Sequence, residues 1–275
     1  MLKKRKKITP STVLLWVTLL ISLLPFYVML VGAFKPHKAL SMIPPDLNIL
    51  TDLTLKNAEY VLGKSALFQW LGNSLFISIG TVLITVFLSA TAGYSFARKT
   101  FRGKNFFFMI VIATLILPRQ MLLIPNYLVA MNLGLTNRLI GVVLTSVAPS
   151  FGIFLCRQFM QGIPSELTEA AEIDGCGEIR KFSTIIVPLS APALGALSIF
   201  AFLGTWNDFL WQFIMIQDKT KQTVPVGISM FAQQFTQNFG FQLVAAFFAT
   251  IPVLIIFLLC QKFFIKGITM GGIKG

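Results

Sequence analysis

Residues 164–192 form a long polar interval between two apolar runs and read PSELTEAAEIDGCGEIRKFSTIIVPLSAP. Five of the chain's ten acidic residues fall within 13 residues of this stretch. Ser165, directly after Pro164, is expected to cap a short helix, because a serine side chain can accept a free N–H group at a helix start. The acidic residues that follow suit the positive end of the helix dipole. One side of this helix would carry Leu167, Ala170, Ala171 and Ile173.

A second short helix is expected to follow a turn. Gly175 and Gly177 break the first helix, since glycine adopts positive φ angles that other residues avoid. The second helix would begin at Glu178 and place four apolar residues on one face: Ile179, Phe182, Ile185 and Ile186. Two short amphipathic helices joined by a tight turn predict a surface that docks onto another molecule.

The composition indicates a membrane protein. The 275 residues are 55% hydrophobic and only 12% charged, with a mean hydropathy of +0.78. The net charge of +13 does not indicate nucleic-acid binding, because long apolar runs separate the basic residues into clusters, as membrane topology requires. The three cysteines are far apart and fit neither a metal site nor a disulfide pattern.

Six apolar runs are long enough to span a membrane. We predict spans at about residues 13–34, 73–97, 105–131, 138–159, 189–216 and 243–264. The third run is interrupted at Pro118 and Pro125. A basic start followed by an apolar run could also be a signal peptide, but the first run has about 22 residues and no A-x-A cleavage site follows it.

The basic residues fix the predicted orientation. With the N-terminus in the cytosol, the cytosolic segments hold 15 of the 23 Lys and Arg residues and the outward segments hold seven. The predicted organisation is therefore a cytosolic tail (residues 1–12), an extracytoplasmic loop (35–70), a core with five spans (71–264) and a cytosolic tail (265–275). Both termini and the 164–192 loop lie in the cytosol.

The spacing within this loop resembles a known pattern. Glu169, Ala170 and Ala171 are followed after three residues by Gly175, and after nine more by Ile185-Ile186-Val187-Pro188. The pattern resembles the EAA loop of permease subunits of ABC importers, E-A-A-x3-G-x9-I-x-L-P, with Val187 replacing Leu. We call residues 164–192 the EAA-like loop.

The resemblance covers most of residues 73–275 and favours the carbohydrate-importing branch, including the smaller permease of maltose systems. The segments that carry it are AEIDG (171–175), WNDF (206–209), TVPVG (223–227) and KGITMGGIKG (266–275). It implies an all-α type I importer fold with six spans in a bacterial or archaeal cell membrane.

The resemblance also implies partners. These are a second homologous permease, two cytosolic ATPases that hold ATP and Mg, and an extracytoplasmic solute-binding protein. No Walker A sequence occurs in this chain, so it is expected to be a transport subunit without a cofactor or catalytic residues of its own. Residues implied to couple this chain to the ATPase are Glu169, Ala170, Ala171, Asp174, Gly175, Ile185 and Pro188.

The solute path is predicted from polar and aromatic residues at membrane depth. Arg119 costs at least about 2.5 kcal/mol at the centre of a span, so it should face a cavity or a partner, or sit in a polar vestibule for structural reasons. Asn207 and Asp208 raise the same alternatives. Trp206 and Trp211 could stack on sugar rings, or only pack against lipid and neighbouring helices.

The outward loop, residues 217–242, resembles the segment that reaches into the binding protein in this family. Its candidate contacts are Gln233, Gln234, Gln237 and Asn238, although a simply solvated loop would have the same composition.

Three other functions compete. An ion-coupled secondary transporter would more often carry paired charges within its spans and would need no cytosolic docking loop. A membrane enzyme would need clustered catalytic residues, which the sequence lacks. Import of a non-sugar solute by the same kind of ABC system remains open.

Overall fold

The computed structural model describes residues 9–234 and 238–271, and the side chains of 9–234 and 238–261. These residues form helices joined by turns and contain no strand. The first helices are α1 (Pro10–Ala33), α2 (His37–Leu40), α3 (Lys56–Lys64), α4 (Leu67–Arg98), α5 (Lys104–Ile116), α6 (Leu123–Asn132), α7 (Leu139–Ser146) and α8 (Pro149–Gln161). The remainder are α9 (Glu166–Ile173), α10 (Glu178–Lys181), α11 (Val187–Leu189), α12 (Ala191–Trp206), α13 (Leu210–Met215), α14 (Val224–Gln234) and α15 (Phe239–Gly271).

The helices are long and apolar enough to supply six spans. Three of them, α1, α4 and α15, meet the length and composition of a span individually. Three bent pairs do so together: Lys104–Ile116 with Arg119–Asn132, Leu139–Ser146 with Pro149–Gln161, and Glu178–Leu189 with Ala191–Trp206. The all-α membrane architecture expected from the sequence is confirmed.

Helix breaks are more numerous than the sequence indicated. The third predicted span bends by 96°, where Leu117 leaves the helical conformation before Pro118. The fourth predicted span bends by 46° at Val147 and Ala148, just before Pro149. Proline explains both breaks, because it lacks an N–H group and disfavours a helical residue before it.

The chain divides into two compact units. The first comprises Met1–Leu67 and Gly227–Ile251. In it, Asn57 Nδ2 donates hydrogen bonds to the carbonyls of Ala33 (3.1 Å) and Lys35 (2.7 Å) at the end of α1. These bonds satisfy carbonyls that would otherwise lack helical partners. Tyr60 of α3 stacks on Phe241 of α15, with ring centroids 4.4 Å apart.

The second unit comprises Phe68–Val226 and Pro252–Gly275. Its described residues include two buried apolar clusters, one around Ile77, Val142 and Trp211 and one around Tyr94, Cys156 and Leu197. Between α4 and α8 the helices approach closely, because Gly152 leaves room for Ser89: a Cβ at Gly152 would lie 2.7 Å from the Ser89 Cβ. Small residues commonly permit such approaches between membrane helices.

Candidate functional site

A cavity of about 560 Å3 lies within the second unit, at three of the places where its helices break. Its lining includes residues from the α5–α6 break, from the α7–α8 break and from the segment between α12 and α13. Irregular backbone at membrane depth is tolerated where it lines a cavity, and broken helices often form solute sites in transporters. The convergence of three breaks on one cavity makes it the candidate solute site.

The cavity has a mixed polar and aromatic lining. It contains one basic residue, Arg119, and one acidic residue, Asp208. The uncharged polar residues are Thr114, Gln120, Asn126, Thr145, Ser146, Ser150 and Thr205. Phe151 and Trp211 supply aromatic surface. Hydroxyl and amide groups beside aromatic rings can hydrogen-bond and stack against a polyhydroxylated solute.

Asp208 also organises the local backbone. Its Oδ1 atom accepts a hydrogen bond of 3.1 Å from the backbone N–H of Trp211 at the start of α13. The Trp211 indole N–H in turn donates to the Thr145 hydroxyl at 3.0 Å. The two bonds connect the segment before α13 to α7, so Asp208 and Trp211 are held in place at the cavity wall.

Two of the predicted path residues lie elsewhere. Trp206 is 3% exposed and stacks on Phe202, with ring centroids 5.4 Å apart. Asn207 is exposed but is not among the cavity-lining residues. Of the five residues predicted from the sequence for the path, the structure brings Arg119, Asp208 and Trp211 to the cavity.

Sequence reasoning missed the hydroxyl groups of the cavity and of α4. Thr145 and Ser146 lie four and three residues before Pro149, within an apolar run. A polar pair so close to a proline could have indicated a helix break lined by hydroxyl groups. On α4, five small hydroxyl residues are buried at spacings of three or four: Ser74, Ser78, Thr81, Thr85 and Ser89. This spacing places them on one helical face.

The EAA-like loop is a helix, a turn and a second helical segment. Ser165 occupies the predicted N-cap position, and its carbonyl accepts the N–H groups of Thr168 and Glu169, but its side chain makes no capping bond. On α9, Ala171 is 7% exposed, whereas Ile173 is 88% exposed and Leu167 is 45% exposed. The helix thus packs through Ala171 and presents its other apolar groups outward.

Gly175 makes the turn after α9. Its φ angle is +75°, and the N–H groups of Asp174 and Gly175 bond to Ala170 and Glu172 carbonyls. This left-handed conformation favours glycine. Helix α10 then runs into a π-helical turn, Phe182–Ile186. The wider turn alters the expected face, so Ile186 is fully buried while Ile179 is 85% exposed.

A network of charged groups joins the loop to the end of α4. Lys181, 3% exposed, contacts the carboxylates of Glu172 and Glu178, and lies 2.6 Å from the latter. Glu178 also contacts Lys99 and accepts a 3.0 Å hydrogen bond from the Tyr94 hydroxyl. Both ends of the turn are therefore connected to the second long helix.

The remaining residues predicted for the loop differ in exposure. Glu169, Ala170, Asp174 and Pro188 are exposed, and Ile185 is partly buried. Nearby, Arg98 at the end of α4 donates to the carbonyls of Met160 (2.7 Å) and Ile163. The loop is thus anchored on one side and open on the other.

Residues 86–270 match the family model of the binding-protein-dependent transport system inner membrane component, which is more than half of the chain. The chain belongs to this family. It is accordingly a multi-pass protein of the cell membrane and a subunit of a transporter. Its family consists of transport subunits and not of enzymes.

Relatives of this permease component cover nearly its whole length. It is 34% identical over 258 residues to the arabinooligosaccharides transport system permease protein AraQ of Bacillus subtilis, covering 93% of this chain and 92% of AraQ. It is 28% identical over 254 residues to the diacetylchitobiose uptake system permease protein DasC of Streptomyces coelicolor, covering 91% of each.

A solved structure has the same fold. It is a bacterial ABC transporter involved in the import of the acidic polysaccharide alginate, with a TM-score of 0.81 and 21% identity over 92% of this chain and 95% of that chain. The type I importer permease fold implied by the sequence is confirmed.

The outward-loop residues of this permease component are only partly described. Gln233 and Gln234 are exposed near the end of α14, and Asn238 is half-buried. Gln237 lies outside the described residues. Within the described part of the chain, no group of three or more His, Cys, Asp or Glu side chains could hold a metal ion.

Proposed function

We propose that this permease component forms half of the membrane path for a sugar or oligosaccharide. In this proposal a second, homologous permease forms the other half. Two cytosolic ATPases, which hold ATP and Mg, drive the transport, and an extracytoplasmic binding protein delivers the solute.

The observation that carries the proposal is the architecture of the EAA-like loop. Its apolar and acidic groups, among them Leu167, Glu169 and Ile173, face outward. Its inward groups are connected to α4 through Lys181 and Glu178. A rigid helix that is anchored on one side and open on the other can pass a rigid-body movement from an ATPase to the spans.

The residues proposed to couple the loop to the ATPase are Glu169, Ala170, Ala171, Asp174, Gly175, Ile185 and Pro188. Glu169 offers a carboxylate to a basic partner, and Ala170 permits close approach because its side chain is small and exposed. Ala171 and Gly175 act differently, by packing the helix and making the turn. These two positions shape the docking surface rather than form it.

The proposed solute path runs along the cavity at the helix breaks. Arg119, Asp208 and Trp211 would meet the solute together with the uncharged groups beside them. Trp206 and Asn207, which the sequence suggested as further contacts, would support this wall from outside the lining. The names of AraQ and DasC support a carbohydrate as the solute.

At the outer face, Gln233, Gln234, Gln237 and Asn238 are proposed to contact the binding protein. Amide side chains suit this role, because they donate and accept hydrogen bonds. The support is the exposure of Gln233 and Gln234 and their position at the end of α14.

The test is purification of the tagged chain from its native membrane under mild detergent, followed by reconstitution into vesicles. We expect a second permease and an ATPase to co-purify, and we expect uptake to require ATP and the binding protein. Arabino-oligosaccharides, diacetylchitobiose, lactose and a non-sugar panel would be offered as solutes.

Elution of the chain alone, with uptake driven by an ion gradient, would contradict the proposal. ATP-driven uptake of a non-sugar solute alone would contradict only its carbohydrate part.

A further inference from the structure

The loop between α2 and α3 exposes apolar side chains. Ile43 is 100% exposed and Leu50 is 88% exposed, and Met42, Ile49 and Leu53 are each about half exposed. Residues 41–55 are called the outer loop here. Large apolar groups are expected to be covered, so their concentration in one loop indicates an interaction surface.

Some polar groups of the outer loop are paired with a buried cation. The Lys35 ammonium is completely buried, where it lies 2.9 Å from Asp46 Oδ2 and donates to the Thr51 carbonyl at 2.6 Å. Asp46 Oδ1 accepts the N–H of Asn48 (2.9 Å), and Asn48 Oδ1 accepts the N–H of Leu50 (3.0 Å).

The sequence of the loop reduces its remaining demand for water. Pro44 and Pro45 have no backbone N–H group to satisfy. The outer loop has two charged side chains, Asp46, which is paired with Lys35, and Asp52, which is exposed. Polar side chains are also exposed beside the apolar ones: Ser41, Asn48, Thr51 and Asp52. A surface of mixed polar and apolar groups suits the boundary between headgroups and acyl chains rather than the hydrocarbon core.

A contact with α1 fixes the position of the outer loop along that helix. The Tyr27 hydroxyl donates a 2.8 Å hydrogen bond to the Leu47 carbonyl. Tyr27 lies six residues before Ala33, the last residue of α1, so the loop folds back along the helix by about 9 Å at 1.5 Å per residue.

The neighbouring surface of α1 is apolar and exposed. Leu23, Leu24 and Phe26 are 50%, 61% and 46% exposed, and they flank Tyr27 in the sequence. At 24 residues α1 is about 36 Å long, about 6 Å more than a hydrocarbon core of about 30 Å. Tyr27, about 9 Å before the end of α1, therefore lies near the outer boundary of that core. The exposed apolar groups of the outer loop continue this surface.

We propose that the outer loop is a membrane anchor, with Ile43 and Leu50 inserted at the boundary between headgroups and acyl chains of the outer leaflet. The partner is the lipid bilayer itself. The inference rests on the membrane location of α1, and it is independent of the solute and of the ATPase. It assigns the loop a role in fixing the outer end of α1 in the bilayer.

The test places a fluorescent NBD label at residue 43 in the reconstituted complete complex. Ile43→Cys introduces the site, with Cys176→Ser and Cys260→Ser to limit background, and buried Cys156 retained. Leu50→Cys is the second loop position, and Glu59→Cys on α3, which is exposed, is the matched control. Vesicles contain phosphatidylcholine and phosphatidylglycerol, with or without nitroxide-labelled lipid.

We expect nitroxide lipid to quench the labels at residues 43 and 50 but not the label at 59. Iodide in the outer solution should quench the labels at residues 43 and 50 at least about threefold less than the label at residue 59, because hydrocarbon excludes ions. Quenching by iodide equal to that at 59 would overturn the proposal in favour of a solvated loop. Protection from both quenchers would also overturn it, since a protein partner would then cover the loop.

Discussion

The ammonium of Lys181 lies 2.6 Å from Oε1 of Glu178, one turn earlier on the same helical segment. Lys181 is 3% exposed, yet it also reaches Glu172 on the other side of the turn. Glu178 in turn contacts Lys99 and Tyr94 at the end of α4. The covalent chain already connects the EAA-like loop to α8 and α12, and these contacts add a connection to the second span.

The first prediction concerns this connection. Replacing Lys181→Met should leave the complex assembled but lower the amount of solute moved per ATP hydrolysed by at least about fivefold, the low end of typical coupling energies. Both carboxylates would lose their shared cation. Lys181→Arg, which retains the charge, should keep most of the coupling. The measurement is uptake and ATP hydrolysis in the same vesicles, and equal loss of both in K181M would indicate a purely structural role.

The second prediction separates turn geometry from space at the loop. A Cβ at Gly175 or at Gly177 would have no heavy atom within 4 Å, but only Gly175 has a positive φ. Gly175→Ala should therefore strain the turn by about 1–2 kcal/mol and reduce coupled uptake, whereas Gly177→Ala should have little effect. Gly175→Asn should be milder, because asparagine tolerates this conformation. Similar uptake by the two alanine variants would contradict the assigned role of the turn.

Local patterns predicted part of this loop well and part of it poorly. The turn at Gly175 followed from glycine chemistry alone, and it is present. The apolar face of the second helix did not follow from a 3.6-residue period, because the π-helical turn Phe182–Ile186 shifts the register. Phe182 packs against Tyr94, with ring centroids 5.2 Å apart, and that contact is invisible in the local sequence.

The cavity shows the same division. Their positions within long apolar runs mark Arg119 and Asp208 as unusual at membrane depth, and both line the cavity. The aromatic ring of Trp206 suggests a sugar contact, but the position of Trp206 on its helix stacks that ring on Phe202 instead. Sequence reveals which groups are costly in a membrane, whereas the direction in which a helix faces is decided by packing between distant segments.

The third prediction distinguishes the charge of Asp208 from its capping bond. Asp208→Asn retains an oxygen that can accept the Trp211 N–H, so it removes the charge alone. Asp208→Ala removes both, and loss of such a bond at a helix start costs about 0.5–2 kcal/mol. We expect both variants to lower uptake but only D208A to lower thermal stability in detergent. Unchanged uptake in D208N, in vesicles with normal ATPase activity, would show that the charge does not serve the solute.

The fourth prediction tests the close approach of α4 and α8. Gly152→Ala would place a methyl group 2.7 Å from the Ser89 Cβ and 2.8 Å from Leu197 Cδ2. Because the helices must then move apart, we expect a loss of about 1–3 kcal/mol in stability. Gly204→Ala is the matched control, since no heavy atom lies within 4 Å of its added Cβ. Thermal unfolding of the purified complex measures the difference, and comparable midpoints for the two variants would contradict the packing described.

The last prediction concerns the pH dependence of the outer loop. The backbone N–H of Asn48, and next the Lys35 ammonium, hold the pKa of Asp46 below its usual value. A folded-state pKa below that of the unfolded loop means that the folded loop binds fewer protons. The stabilisation is therefore present above the usual value of about 3.9 and is lost as the pH falls further.

A fluorescent label at residue 43 should consequently move from lipid to water only below about pH 4, because the pKa of Asp46 lies below that of an ordinary Asp carboxyl group. Asp46→Asn imitates the protonated state, so its label should be more accessible to iodide at pH 7 than that of the parent protein. A label at residue 59 controls for quenching changes caused by acid alone. If the acid transition persists unchanged in D46N, another group must control it, because no titrating carboxyl would remain in the pair with Lys35.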